Sequence, residues 1–115
     1  MEIRRGDVVF CSLGNHLGSS IQGGDRPVLC VSNDMNNKHS TVFTGVPLTT
    51  RVKRNLPTHV KVVAAENTGL TEDSTALCEQ VTVLSCDCIL NEKYGKINET
   101  VMEQITKALQ VQLGM

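Results

Sequence analysis

Aromatic residues are nearly missing: the 115-residue chain has no tryptophan, one tyrosine and two phenylalanines. Stacking of bases on aromatic platforms is therefore excluded as a main mode of binding, and the core must be built from Val, Leu, Ile, Met and Cys. A large charge of either sign is missing too. Eleven Lys and Arg against twelve Asp and Glu leave a net charge of -1, so whole-molecule electrostatics do not mark a nucleic-acid binder, and only a local basic patch stays open. No apolar run approaches the ~20 residues of a membrane span. There is no GxSxG, no P-loop, no dinucleotide fingerprint and no paired-histidine zinc motif, which removes several large enzyme classes and leaves a polar, metal-free site.

The five cysteines, Cys11, Cys30, Cys78, Cys86 and Cys88, are odd in number and irregular in spacing. With no signal peptide, they predict a reducing cytoplasm. Cys11, Cys30 and Cys78 lie in apolar runs and read as small hydrophobes. "CDC" at Cys86–Cys88 lacks a second ligand pair and reads as structural.

What is present is a single globular domain, 40% hydrophobic and 20% charged, with a modest core. Asp7–Leu13, Pro27–Ser32, Thr41–Leu48, Thr58–Ala64 and Ser74–Ser85 read as strands from their β-branched and apolar content. The run from Pro27 is nearly continuous in apolar residues, as in a strand buried on both faces. Gly45 and Pro47 predict a bend, a bulge or an edge in the third strand. Gly14–Asp25 holds four glycines and reads as a long mobile loop, and Asn33–Ser40 as turn chemistry. Val101, Met102, Ile105, Ala108, Leu109 and Leu113 are spaced for one helix face, with Asn98 as N-cap and Gly114 as stop. Several short strands and one closing amphipathic helix make a mainly β fold, a small antiparallel barrel or sandwich capped by the helix.

Arg26 stands where the glycine-rich loop meets the second strand. It is either a surface cation, paired with Asp25 or Asp7, or a guanidinium placed to grip a phosphate with parallel hydrogen bonds. Thr49 and Thr50, after the third strand, offer hydroxyls to a phosphate oxygen or serve as β-branched strand ends. Arg51, Lys53 and Arg54 form the densest basic stretch. His16, His39 and His59 show no ligand spacing.

In order along the chain come "RGDV" (Arg5–Val8), "GGDRPVL" (Gly23–Leu29), "LTT" (Leu48–Thr50), "LPTHV" (Leu56–Val60) and "DSTALCEQ" (Asp73–Gln80), then the helix. This series, over about residues 4–113, resembles the MazF/PemK family of bacterial toxins. The resemblance implies a small SH3-like β-barrel with a C-terminal helix, of the kind shared with CcdB, a homodimer, and a metal-independent, cofactor-free endoribonuclease that cuts single-stranded RNA. It also implies a MazE-like antitoxin as partner. By the same resemblance Arg26 and Thr49 are the catalytic pair, with Thr50 an adjacent competitor. Ser19, Gln22, Asn33, Arg51, Leu56, Ser74, Glu79 and Gln80 are then RNA contacts. One departure stands out: the family loop carries a carboxylate where this chain has Ser20 or Ile21. A CcdB-like protein that binds gyrase without cutting RNA is the alternative, and it would not need Arg26.

Overall fold

The computed structural model describes residues 2–51, 54–90 and 95–115. Lys53 therefore lies outside the described residues. The strands are β1 (Asp7–Ser12), β2 (Asp25–Cys30), β3 (Val42–Thr49), β4 (His59–Val62), β5 (Ser74–Leu77), β6 (Thr82–Ser85) and β7 (Gly95–Lys96). The helices are α1 (Asp34–His39) and α2 (Glu99–Leu113), with single 3-10 turns at Glu66–Thr68, Cys78–Gln80 and Cys86–Cys88.

All pairings are antiparallel, in the order β4-β5-β3-β2-β1-β7, with β6 also on β3. β3 changes partner along its length: Val42–Gly45 pair with β6, whereas Leu48 and Thr49 pair with β5. The sheet curls there into a half-barrel. Gly45 sits at the change, and a Cβ on it would lie 2.5 Å from Val28 Cγ1. The expected bend is thus present, but β3 is a central strand and not an edge.

Alternation along the strands divides the core into two clusters. Val8, Leu29, Val46 and Leu48 point to one, which is closed by Ile105 and Ala108 of α2. Val9, Cys11, Val28, Cys30 and Phe43 form the other. Val28, Leu29, Cys30 and Val31 are all buried, so β2 is covered on both faces as its composition predicts.

Four elements differ from what the sequence predicts. Asn33–Ser40 is not only a turn: the Asn33 side chain accepts from the Asn36 N–H at 2.8 Å and caps α1. Buried Asn37 satisfies its amide on the Ser32 carbonyl and hydroxyl. Ser74–Ser85 is two strands, broken by the turn at Cys78–Gln80 because β5 joins β4 while β6 joins the other half of β3. The short β7 has no sequence signal of its own. Leu113 is 58% exposed, beyond the part of α2 that meets the core. α2 itself is capped as expected, with Asn98 accepting from Val101 N–H at 2.9 Å and Gly114 at φ 71°. No described helix is long and apolar enough to cross a membrane.

Candidate active site

The β2–β3 ladder stops at Val28 opposite Pro47. Pro27, next on the edge that faces β3, has no N–H to give the Leu48 carbonyl, which lies instead 3.5 Å from Arg26 Nη1. Continuing the same register by two residues sets Arg26 opposite Thr49. The opening between the strands is a cavity of about 400 Å³. Its walls include Arg26, Thr49, Thr50, Arg51, Ser74 and Glu72.

Arg26 is held by its own surroundings. Its Nε donates to the Gly23 carbonyl at 2.9 Å, and Nη1 reaches the Leu48 carbonyl at 3.5 Å. A guanidinium has five N–H donors, so donors remain for an anion. Asp7 sits at the far end of the β1–β2 ladder, and exposed Asp25 makes no ion pair with Arg26 among the described residues, so neither carboxylate holds it. Burial, and then the neighbouring Arg51 cation, pull Arg26 below the ordinary arginine range. A cation so placed is short of counter-charge, which favours an incoming anion.

Thr49 is buried and Thr50 exposed. The Thr49 hydroxyl oxygen accepts from the Arg51 N–H at 3.1 Å. That bond orients the oxygen and leaves its proton to donate.

The other expected contacts fall into three groups. Arg51 and Ser74 line the Arg26 cavity. Leu56 lines a second cavity of about 290 Å³ that meets the first at Thr49, Thr50 and Ser74, and the two together are called the groove below. Gln22, Glu79 and Gln80 line a third, more apolar cavity of about 480 Å³. There Gln80 clasps the glycine-rich loop: its Oε1 accepts from the Gln22 N–H at 2.8 Å, and its Nε2 donates to the Ser20 carbonyl at 2.9 Å. Glu79 accepts from the Thr58 hydroxyl at 3.0 Å and lies 2.8 Å from His59 Nε2. Ser19 is exposed and accepts from the Ile21 N–H at 3.0 Å. Asn33 caps α1 at the other end of β2 from Arg26.

The loop is more tethered than its glycines suggest. Leu13 N–H donates to the Gly24 carbonyl and Gly24 N–H to the Gly14 carbonyl, at 2.9 and 2.8 Å. Gly23 is required there, since a Cβ would lie 2.8 Å from the Gly14 carbonyl oxygen. Sequence reasoning missed two features. Glu72 is the one acidic residue lining the Arg26 cavity among the described residues, and nothing local marks it. The His59–Glu79 pair joins residues twenty positions apart, and only the β4–β5 register brings them together.

The thiols are not site groups. Burial, then the Glu79 charge, push Cys78 up to about 12, and burial with the neighbouring Cys88 and Cys86 raises Cys11. Such thiols are inert as nucleophiles.

A family model described as PemK-like, MazF-like toxin of type II toxin-antitoxin system matches residues 4–113. The chain is 35% identical to Endoribonuclease EndoA of Bacillus subtilis (strain 168), over 100% of this chain and 97% of that one. Among solved structures it resembles an endoribonuclease in complex with its cognate antitoxin from Mycobacterial species. That match has a TM-score of 0.76 and 29% identity, and it covers 98% of this chain and 96% of the other. The fold also matches MazF from Deinococcus radiodurans, with a TM-score of 0.83 at 22% identity, over 100% of this chain and 99% of the other.

Proposed function

Because this chain belongs to the PemK-like, MazF-like toxins of type II toxin–antitoxin systems, we propose that it is an endoribonuclease cutting single-stranded RNA without a metal. The observation that carries this is Arg26 and Thr49 lining one cavity.

RNA brings its own nucleophile. The 2′-hydroxyl oxygen bonds to the adjacent phosphorus, the bond from phosphorus to the 5′-oxygen breaks, and the products are a 2′,3′-cyclic phosphate and a 5′-hydroxyl. The protein has to orient the attack, stabilise charge on the phosphorane and manage protons. Arg26 stabilises the charge. Its role is electrostatic, since a guanidinium is a poor proton donor. Thr49 donates its hydroxyl proton to a phosphate oxygen while Arg51 N–H holds the hydroxyl in place. Glu72 is the carboxylate lining the cavity among the described residues that can take the 2′-hydroxyl proton, and the leaving 5′-oxygen takes its proton from water.

Unpaired RNA suits a groove that reads base edges. Arg51 and Arg54 supply local positive charge on a near-neutral chain. Ser74 and Leu56 extend the contact along the groove. Ser19, Gln22, Asn33, Glu79 and Gln80 complete the proposed contacts, with Gln80 acting through the loop it clasps. The mycobacterial relative is bound to its cognate antitoxin. By that likeness a cognate antitoxin binds this chain; the family resemblance makes it a MazE-like antitoxin over this groove, the working unit a homodimer and the site of action the cytoplasm.

The test is incubation with mixed-sequence single-stranded RNA in excess EDTA, beside Arg26→Ala, with analysis of fragment ends. Discrete cuts ending in cyclic phosphate, absent from the variant, are expected. No cutting by folded protein over many sequences overturns the reading and turns attention to gyrase binding.

A further inference from the structure

His59 bonds two oxygens that only accept. Its Nδ1 lies 3.0 Å from the Arg54 carbonyl oxygen, and its Nε2 lies 2.8 Å from Glu79 Oε2. The other carboxylate oxygen of Glu79 accepts from Thr58. A carbonyl and an ionised carboxylate have no proton to give. In each bond the ring nitrogen is therefore the donor. The ring is 10% exposed, so water does not readily replace either partner.

The two partners belong to different elements. Arg54 lies in the segment between Thr49 and β4, followed by Asn55 and Leu56, which line the groove with Thr49 and Thr50. Glu79 lies in the turn between β5 and β6. His59 begins β4, fixed by its pairing with Leu77 and by its own N–H donating to the Leu56 carbonyl at 2.9 Å. We propose that His59 is a positioning residue: it clamps the Arg54–Leu56 segment to Glu79 and so sets the groove wall that holds RNA beside the cut. The role in RNA binding rests on the endoribonuclease reading; the clamp itself does not.

His59 does not line the Arg26 cavity, so it has no part in the bond-breaking step. Its charged surroundings are mixed. Lys61 and Asp73 share its cavity on the groove side, and Lys107 of α2 shares the cavity on the other side. Among the described residues Glu79 is the one carboxylate in bonding contact with the ring. Loss of either ring nitrogen as a donor opens one half of the clamp.

The two halves are separable, because an asparagine amide nitrogen overlays Nδ1 and a glutamine amide nitrogen overlays Nε2. The experiment uses the full chain. Amide hydrogen exchange at the residue-59 backbone N–H, which donates to the Leu56 carbonyl, reports the segment, and RNA cutting gives KM and kcat. His59→Gln, which drops the Arg54 bond, should speed that exchange and raise KM, each by about 3- to 10-fold, the range one hydrogen bond supplies, with kcat nearly unchanged. His59→Asn, which keeps that bond, should stay closer to the parent in both. Equal exchange in the two variants overturns the proposal. If the parent cuts no RNA but exchange separates the variants, the clamp stands and the endoribonuclease reading falls. If neither variant folds, Glu79→Ala, which removes the other partner, makes the same test: parent-like exchange and KM overturn the proposal.

Discussion

Arg26 and Thr49 line one cavity just beyond the end of the β2–β3 ladder, and Arg26 Nη1 lies 3.5 Å from the Leu48 carbonyl oxygen. Pro27 ends the pairing there, and the proposed chemistry falls to the residues lining the cavity. Replacing Arg26 by Lys keeps the charge but loses the planar fork. Arg26→Lys should lower kcat by about 10²-fold or more, the scale of removing one preorganised donor to a transition state. Circular dichroism should stay that of the parent. Single-turnover cutting of a labelled RNA measures the loss, and a lysine variant with near-parent kcat would refute the role.

Thr49 and Thr50 are adjacent and chemically identical, and burial separates them. Thr49→Val removes the donor to phosphate and also strands the Arg51 N–H. It should cost about 10- to 100-fold in kcat and about 1–3 kcal/mol in stability if that N–H finds no water. Thr50→Val, at an exposed position, should leave both within about two-fold and ±0.5 kcal/mol. The reverse ranking in cutting assays would move the catalytic role to Thr50.

Much of this was legible in the chain. The strand run from Pro27 and the helix from Asn98 follow from periodicity and caps, whereas Arg26 and Thr49 were singled out together only by the family resemblance. What was not legible depends on contacts distant in sequence. α1 forms because Asn33 caps it and Asn37 finds buried partners, and composition alone reads those asparagines as a turn. Ser74–Ser85 looks like one strand because its two halves are equally β-prone, and they part only because they pair with different strands. Glu72 and His59 carry no local signature at all; the curl of the sheet places them.

Glu79 makes stability depend on acid. Burial works to raise its carboxyl, but hydrogen bonds from His59, from its own backbone N–H and from Thr58, with the His59 charge, outweigh it and hold it below the usual range. A depressed folded value means stability that is present above the unfolded glutamate value, about 4.3, and is lost as pH falls through the folded one. The melting temperature of the parent should exceed that of Glu79→Gln at neutral pH. The gap should close as pH drops below that value, and thermal melts from neutral to acid pH read it directly. A gap that persists in acid would show that the carboxylate charge is not the source.

Gly45 is held by space alone. A Cβ there would lie 2.5 Å from Val28 Cγ1 and 3.0 Å from Leu84 Cδ1. Both neighbours sit where β3 changes partner, so relief requires the sheet to open. Gly45→Ala should destabilise by about 1–3 kcal/mol, the usual cost of overpacking, read from urea unfolding. Pairing it with Val28→Ala should recover part of the loss, since the nearest clash is removed.

Gln80 holds the loop that ends at Arg26. Its amide takes the Gln22 N–H and the Ser20 carbonyl as a neighbouring strand would, at positions some sixty residues away in sequence. Gly23, next in the chain, supplies the carbonyl that anchors Arg26 Nε. The clasp is therefore linked to the guanidinium through one short stretch of backbone. Gln80→Ala should speed amide exchange at Gln22 and lower kcat modestly, by about 3- to 10-fold, the scale of one or two hydrogen bonds. Gln80→Glu keeps the acceptor for Gln22 but sets a carboxylate against the Ser20 carbonyl, and should impair cutting at least as much. Were exchange at Gln22 unchanged in both, the loop would be held by its own Gly14–Gly24 bonds, and any loss of cutting would then report direct contact between Gln80 and RNA.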